Sequence, residues 1–155
     1  MLEPIDPLAA VIAYLRDQVV LAALVTDRIA ARHGFAEVAD PSEVGRGWPT
    51  PARALTLRYA GVDGAPDTAA RDAQERVRLE ARCYGDGPLD AARVANLLTE
   101  VCRQFVRRTV PLQASQVALI YALWPLDAVT AEYDPDIRCD VARLTLRAWV
   151  SRTPL

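Results

Sequence analysis

The stretch Gln74-Glu75-Arg76-Val77-Arg78-Leu79-Glu80-Ala81-Arg82-Cys83-Tyr84 decides how the chain is read. Val77, Leu79, Ala81 and Cys83 share one face, and Arg76, Arg78, Glu80 and Arg82 share the other. Strand side chains alternate with a period of two, so this is a half-buried strand with an ionic outer face. The Gly85-Asp86-Gly87-Pro88 turn follows, and then a helix over Leu89 to Arg107. Val94, Leu98, Val101 and Phe105 form the inner stripe of that helix, widened by Leu97 and Cys102. Arg103, Arg107 and Arg108 gather at its end, where positive charge complements the helix dipole. Pro111 is read as the stop.

Upstream, Asp6-Pro7 is a helix start, with Asp as N-cap and Pro at the first helical position. Leu8, Val11, Ile12, Leu15, Val19 and Ala22 then recur at helical spacing, which predicts one helix reaching Thr26 and Asp27. Tyr14, Arg16, Asp17 and Gln18 interrupt its apolar character, so it is a core helix and not a membrane span. Residues 53–59 alternate as a strand, with Leu55, Leu57 and Tyr59 on one side and Ala54, Thr56 and Arg58 on the other. Val117 to Leu123 is an apolar strand, ended by Trp124 and Pro125. The last strand runs from about residue 138 to 150, with Ala142, Leu144, Leu146 and Ala148 inward and Arg143, Thr145, Arg147 and Trp149 outward.

The expected fold is α+β in the order α-β-β-α-β-β. It is a four-stranded antiparallel sheet with two main helices packed on one face, and residues 1–155 form a single domain. Loops at 34–52, 61–73 and 125–137 are expected to be mobile or to form interfaces. The far face of the sheet carries Thr56, Arg58, Arg76, Arg78, Glu80, Arg82, Arg143, Thr145 and Arg147. It has three readings: a solvated face laced with local ion pairs, a surface meeting acidic loops of a neighbouring subunit, or a phosphate-binding face. The formal net charge of −2 and a lack of aromatic interleaving argue against the last.

Composition sets further bounds. Apolar residues make up 52% and charged residues 25%, so the chain buries a core and is not disordered. All basic side chains except His33 are arginines, a choice that fits a GC-rich genome and also suits bidentate contacts to carboxylates. Cys83, Cys102 and Cys139 match no metal or redox spacing; Cys83 and Cys102 lie on apolar faces and read as core thiols, which fits a reducing compartment. The N-terminal stretch has no basic region of the signal-peptide kind. His33 lacks a catalytic partner in sequence and reads as a helix-end residue. No serine sits in a nucleophile elbow, and Gly85-Asp86-Gly87 lacks the residues of a phosphate loop. Glu132, Asp134, Asp136 and Asp140 have neither the ligand order nor the glycine of a calcium loop. No enzyme activity, cofactor or metal is expected.

Four stretches carry a family resemblance. They are the Asp6-Pro7 helix closing in Leu24-Val25-Thr26-Asp27-Arg28-Ile29, and the Pro- and Gly-rich loop before the first strand. The third is Val77 to Gly85 running into Pro88-Leu89-Asp90-Ala91-Ala92, and the fourth is Glu132-Tyr133-Asp134-Pro135-Asp136 before the last strand. In order and spacing the chain resembles the tail terminator and tail-completion proteins of long-tailed bacteriophages and gene-transfer agents. Trp48 and Trp124 have no place in that pattern. The resemblance implies a structural virion protein of the tail or neck, assembled in the host cytoplasm. It implies a homo-oligomeric ring, typically a hexamer, that caps the tail tube, ends its growth and docks the head connector. The partners are then the tube protein and the connector, with DNA passing through the lumen without specific binding and no membrane involved. Alternatives are a neck or head-completion adaptor, or a small α+β ligand-binding domain under the 34–52 loop, near Trp48 or Tyr59. A closing ring needs two complementary patches per subunit. Arg58, Arg76, Arg78, Arg82, Arg143 and Arg147 are the candidates on one side, and Glu132, Asp134 and Asp136 on the other.

Overall fold

The structure is a computed structural model that describes residues 4–31, 53–62, 74–135, 139–151 and 154–155. Among them are three α-helices and seven strands in the order α1 (Pro7–Arg16), α2 (Val19–Leu24), β1 (Ile29–Ala31), β2 (Ala54–Val62), β3 (Gln74–Gly85), α3 (Pro88–Arg103), β4 (Arg108–Pro111), β5 (Val117–Pro125), β6 (Thr130–Asp134) and β7 (Cys139–Ser151). The strand order is β1-β2-β3-β7-β5-β4, with β6 paired to β7. None of the described helices is long and apolar enough to cross a membrane.

This corrects the expected four-stranded antiparallel sheet with two main helices. The four segments read as strands are the long strands β2, β3, β5 and β7, and they pair antiparallel. Three short edge pieces add to them, and β1 lies parallel to β2, so the sheet is mixed. It curls as a half-barrel. Register shifts at Tyr59/Gly61 and Ile120/Ala122 mark irregularities of the kind that bend strands. β5 and β6 both lie antiparallel along the same edge of β7, so they act as one interrupted strand. Pro125 faces Leu146 and Thr130 faces Arg143, so five steps on one side span three on the other. Leu126 N donates to Thr145 O at 2.8 Å and carries the pairing into the break. The 125–137 stretch, expected as a loop, is therefore largely strand where it is described.

The first helix is also corrected. It stops at Asp17, and α2 starts after an extended Gln18. Arg16 turns back to donate twice to Ile29 O, at 3.0 and 2.7 Å, and Gln18 Nε2 donates to Tyr14 O. Val19, expected on the inner stripe, is 80% exposed. The helix start is as read: Asp6 Oδ1 accepts from Leu8 N at 3.0 Å, and Pro7 opens the helix. Tyr59 reaches across from β2 to donate to Asp6 Oδ1 and to accept from Leu8 N, so the sheet holds the start of α1. After α2, Thr26 and Asp27 take left-handed φ values of 52° and 60°, and the chain enters β1. The third helix ends at Arg103 and not at Arg107. Pro111, read as its stop, instead closes the edge strand β4.

α1 packs on β1, β7 and β4, and α3 packs on β3, β7 and β5, on the same face of the sheet. Between them lie Leu8, Val11, Leu15, Leu55, Leu57, Leu79, Val94, Leu98, Ile120, Leu144 and Leu146, all fully buried. This continuous apolar core is the main source of stability for a chain of this size. At Gly85 the start of α3 lies close against the sheet: a Cβ there would lie 2.4 Å from Ala91 N.

Candidate functional site

The outer face of the sheet is where the sequence placed its charges. The β3–β7 register sets Arg76 opposite Trp149, Arg78 opposite Arg147, Glu80 opposite Thr145 and Arg82 opposite Arg143. β2 adds Arg58 opposite Glu80, and β5 adds Trp124 opposite Arg147. Like charges directly across a ladder repel, so the arrangement needs counter-charges or stacking partners. The face meets that need in two different ways along its length.

At the β6 end it is an ion-pair network. Glu80 takes Arg58 Nη2 on Oε2 at 2.8 Å and Arg82 Nε on Oε1 at 3.0 Å. Arg82 continues to Asp134 at 3.6 Å and Glu132 at 4.0 Å, and Arg143 reaches Glu132 at 3.9 Å. The centre is half-shielded, with the Glu80 side chain 13% exposed and that of Arg82 14%. Burial alone would raise the Glu80 carboxyl, but the hydrogen bonds from Arg58 and Arg82 outweigh it and hold the group below its ordinary range. Of the residues read from sequence as complementary patches, Arg82 and Arg143 meet Glu132 and Asp134 within the chain, and Arg58 pairs with Glu80. Asp136 lies outside the described residues.

At the other end the face is aromatic. The Arg76 guanidinium lies 4.2 Å from the Trp149 ring centroid, and Arg147 lies 5.6 Å from that of Trp124. The two indoles meet edge to face at 5.6 Å. Tryptophan faces attract guanidinium groups. The supposed lack of aromatic interleaving is therefore corrected: alternation alone puts Trp149 on this face, but Trp124 joins it only through the β5–β7 register, which sequence does not reveal. The Trp149 indole N–H is buried without a hydrogen-bond partner.

The outer face is also less polar than the alternation implies. Thr56 is fully buried, and Ala54, Tyr84, Cys139 and Val141 form a second small apolar cluster there.

Other candidate chemistry is sparse. All three cysteines are free and buried. Burial pushes the Cys102 thiol up to about 12 and raises Cys83 and Cys139 as well, so all three stay protonated at neutral pH. Among the described residues no group of three or more His, Cys, Asp or Glu side chains is placed to hold a metal. His33 and Trp48 lie outside the described residues. A cavity of about 370 Å³ opens between the C-terminal ends of α1 and α3, lined by Tyr14, Gln18, Val101, Gln104, Val106, Arg107 and Arg108. It contains no acid–base pair and is not the pocket expected near Trp48 or Tyr59.

No family model matches the sequence, and no curated protein matches it. The chain is similar in fold to a chain of the solved virion of a native gene transfer agent (GTA) particle, with a TM-score of 0.56 and 21% identity over 92% of this chain and 93% of that one.

Proposed function

We propose that this chain is a structural component of a virion-like particle, and that it forms a ring capping the tail tube. The observation that carries the reading is the near end-to-end fold likeness to a chain of the GTA virion. The sequence resemblance to tail terminators adds the finer role. Termination is then geometric: one face of the ring matches the last tube subunits, and the other face offers no further tube site and receives the head connector. Such a ring needs a heterologous contact that closes.

In this reading the two halves of the charged face do different work. The network of Glu80, Arg82, Glu132 and Asp134 braces β6 against β3 and β7. The Arg76–Trp149 and Arg147–Trp124 stacks face a partner surface in the assembled particle. Light scattering after size exclusion over a concentration series, with negative-stain imaging, tests the ring. A closed ring, or a concentration-driven shift toward one, is the expected result. A monomer at every concentration counts against it.

The aromatic half also favours a second reading, contact with nucleic acid, because guanidinium groups beside indoles suit phosphates and bases together. Binding of a random-sequence DNA that weakens steeply with salt supports it, and no binding at low salt removes it.

A further inference from the structure

We propose that the ring contact is made by the two poles of α3, the N-terminal pole of one copy docking into the C-terminal pole of the next. This deepens the ring reading and rests on it. At the N-terminal pole Leu89 is 86% exposed, the most exposed large apolar side chain among the described residues. Two residues before Pro88 stands Asp86, also exposed; its carboxylate makes no resolved ion pair among the described residues, although its backbone N–H is held by Asp90 Oδ2 at 3.0 Å. A leucine this exposed in the first turn of a helix gains nothing in the monomer, and burying such a side chain stabilises a contact.

The C-terminal pole offers the complement. The cavity of about 370 Å³ there is open to solvent, with apolar walls from Val101 and Tyr14 and an apolar rim at Val106, itself 75% exposed. Val19 and Val20, which follow the cavity residue Gln18 in the chain, are 80% and 67% exposed. Two cations flank it. Arg107 lies 4.9 Å from the Tyr121 ring centroid and Arg108 lies 5.6 Å from that of Tyr14. Both arginines are exposed, and a guanidinium offers several N–H donors to an incoming carboxylate.

One pole is thus a leucine knob beside an acid, and the other an apolar cavity beside two arginines. Polarity and charge sign match between them, and the cavity is roomy enough to admit the leucine side chain. Within one chain they lie about 24 Å apart along the 16 residues of α3, so they cannot meet in the same subunit. A knob and a cavity on opposite ends of one helix make a heterologous contact, the kind that closes rings. The occupant of the cavity is therefore a second copy of this chain.

The test uses two variants that each destroy one pole, Leu89→Arg and Val106→Glu. Both sites are exposed, so thermal unfolding should match the wild type and show that the fold is kept. Each variant alone is expected to be monomeric by light scattering at concentrations where the wild type forms rings. An equimolar mixture is expected to form dimers and nothing larger, because only one working pole of each kind remains. Swapping the charges, with Asp86→Arg combined with Arg107→Asp and Arg108→Asp, is expected to restore assembly lost in the separate changes. Wild-type rings that persist in both pole variants overturn this contact and leave the ring reading standing. A wild type that stays monomeric overturns both. Rings in the mixture also overturn the contact.

Discussion

Replacing Gly85 with alanine gives a sign that separates packing from chain entropy. Gly85 ends β3 under the first turn of α3. An added Cβ would sit 2.4 Å from Ala91 N, 2.6 Å from Asp90 C and 2.9 Å from Ala91 Cα, all of them backbone atoms. Ordinary contact begins near 3.4 Å, so the helix start must withdraw by about 1 Å from a close-packed interface. Ala91, Val94, Ala95 and Leu98 on that helix are fully buried, which leaves little room for the movement. Overpacking of this kind costs about 1–3 kcal/mol, and more where backbone must move. The backbone at Gly85 is not in the left-handed region, so alanine there would otherwise stabilise by about 0.4–1 kcal/mol through the unfolded chain. The net expectation is a loss of roughly 1–2 kcal/mol, read as a fall in melting temperature of about 2–8 °C for a chain of this size. Thermal unfolding followed by circular dichroism or calorimetry measures it. A melting temperature equal to or above that of the wild type refutes the close approach of α3 to β3.

Further outcomes follow from other parts of the structure. Glu80→Gln should weaken the bracing of β6 by about 1–3 kcal/mol in a denaturant titration, because Arg82 loses a charged acceptor. Glu80 is held below its ordinary carboxyl range, so it contributes stability above the unfolded pKa, and that contribution is lost as pH falls through the folded value. The variant should therefore show a flatter acid limb in stability against pH, and an unchanged limb contradicts the network. Asp6→Ala should cost about 1 kcal/mol through loss of the α1 cap, measured by chemical unfolding. Leu98→Ala should cost about 2–5 kcal/mol, because the side chain is fully buried between α3 and the sheet. The three thiols should react with a thiol reagent only as fast as the protein unfolds; rapid labelling of native protein contradicts their burial.

The core of the fold was legible because it is patterned. Period-two alternation marked β3 and β7, and Asp6-Pro7 marked the start of α1. The edges were not legible, because they are short and weakly patterned. β1 has three residues, and β4 is basic and ends in Pro111. β6 is five mostly exposed residues whose acids read as loop, and they become strand only because β7 is long enough to hold two partners along one edge. The break at Gln18 was hidden because Val19 and Ala22 continue the helical spacing, while the hydrogen bonds of Arg16 to Ile29 O depend on where β1 lies. The charged residues themselves were found by alternation. Their pairing needed register, which is a property of the assembled sheet and not of any one strand. For the same reason, Trp124 joining the arginine ladder could not be read from sequence.

The proposed ring sits at the end of a tail tube, so the tube ends are the place to look for it. The measurement is electron microscopy of assembled tail tubes, with and without added chain. Ring density at one end of each tube and an arrest of further lengthening are the expected result. Bare ends and unchanged growth in the presence of excess chain would contradict it.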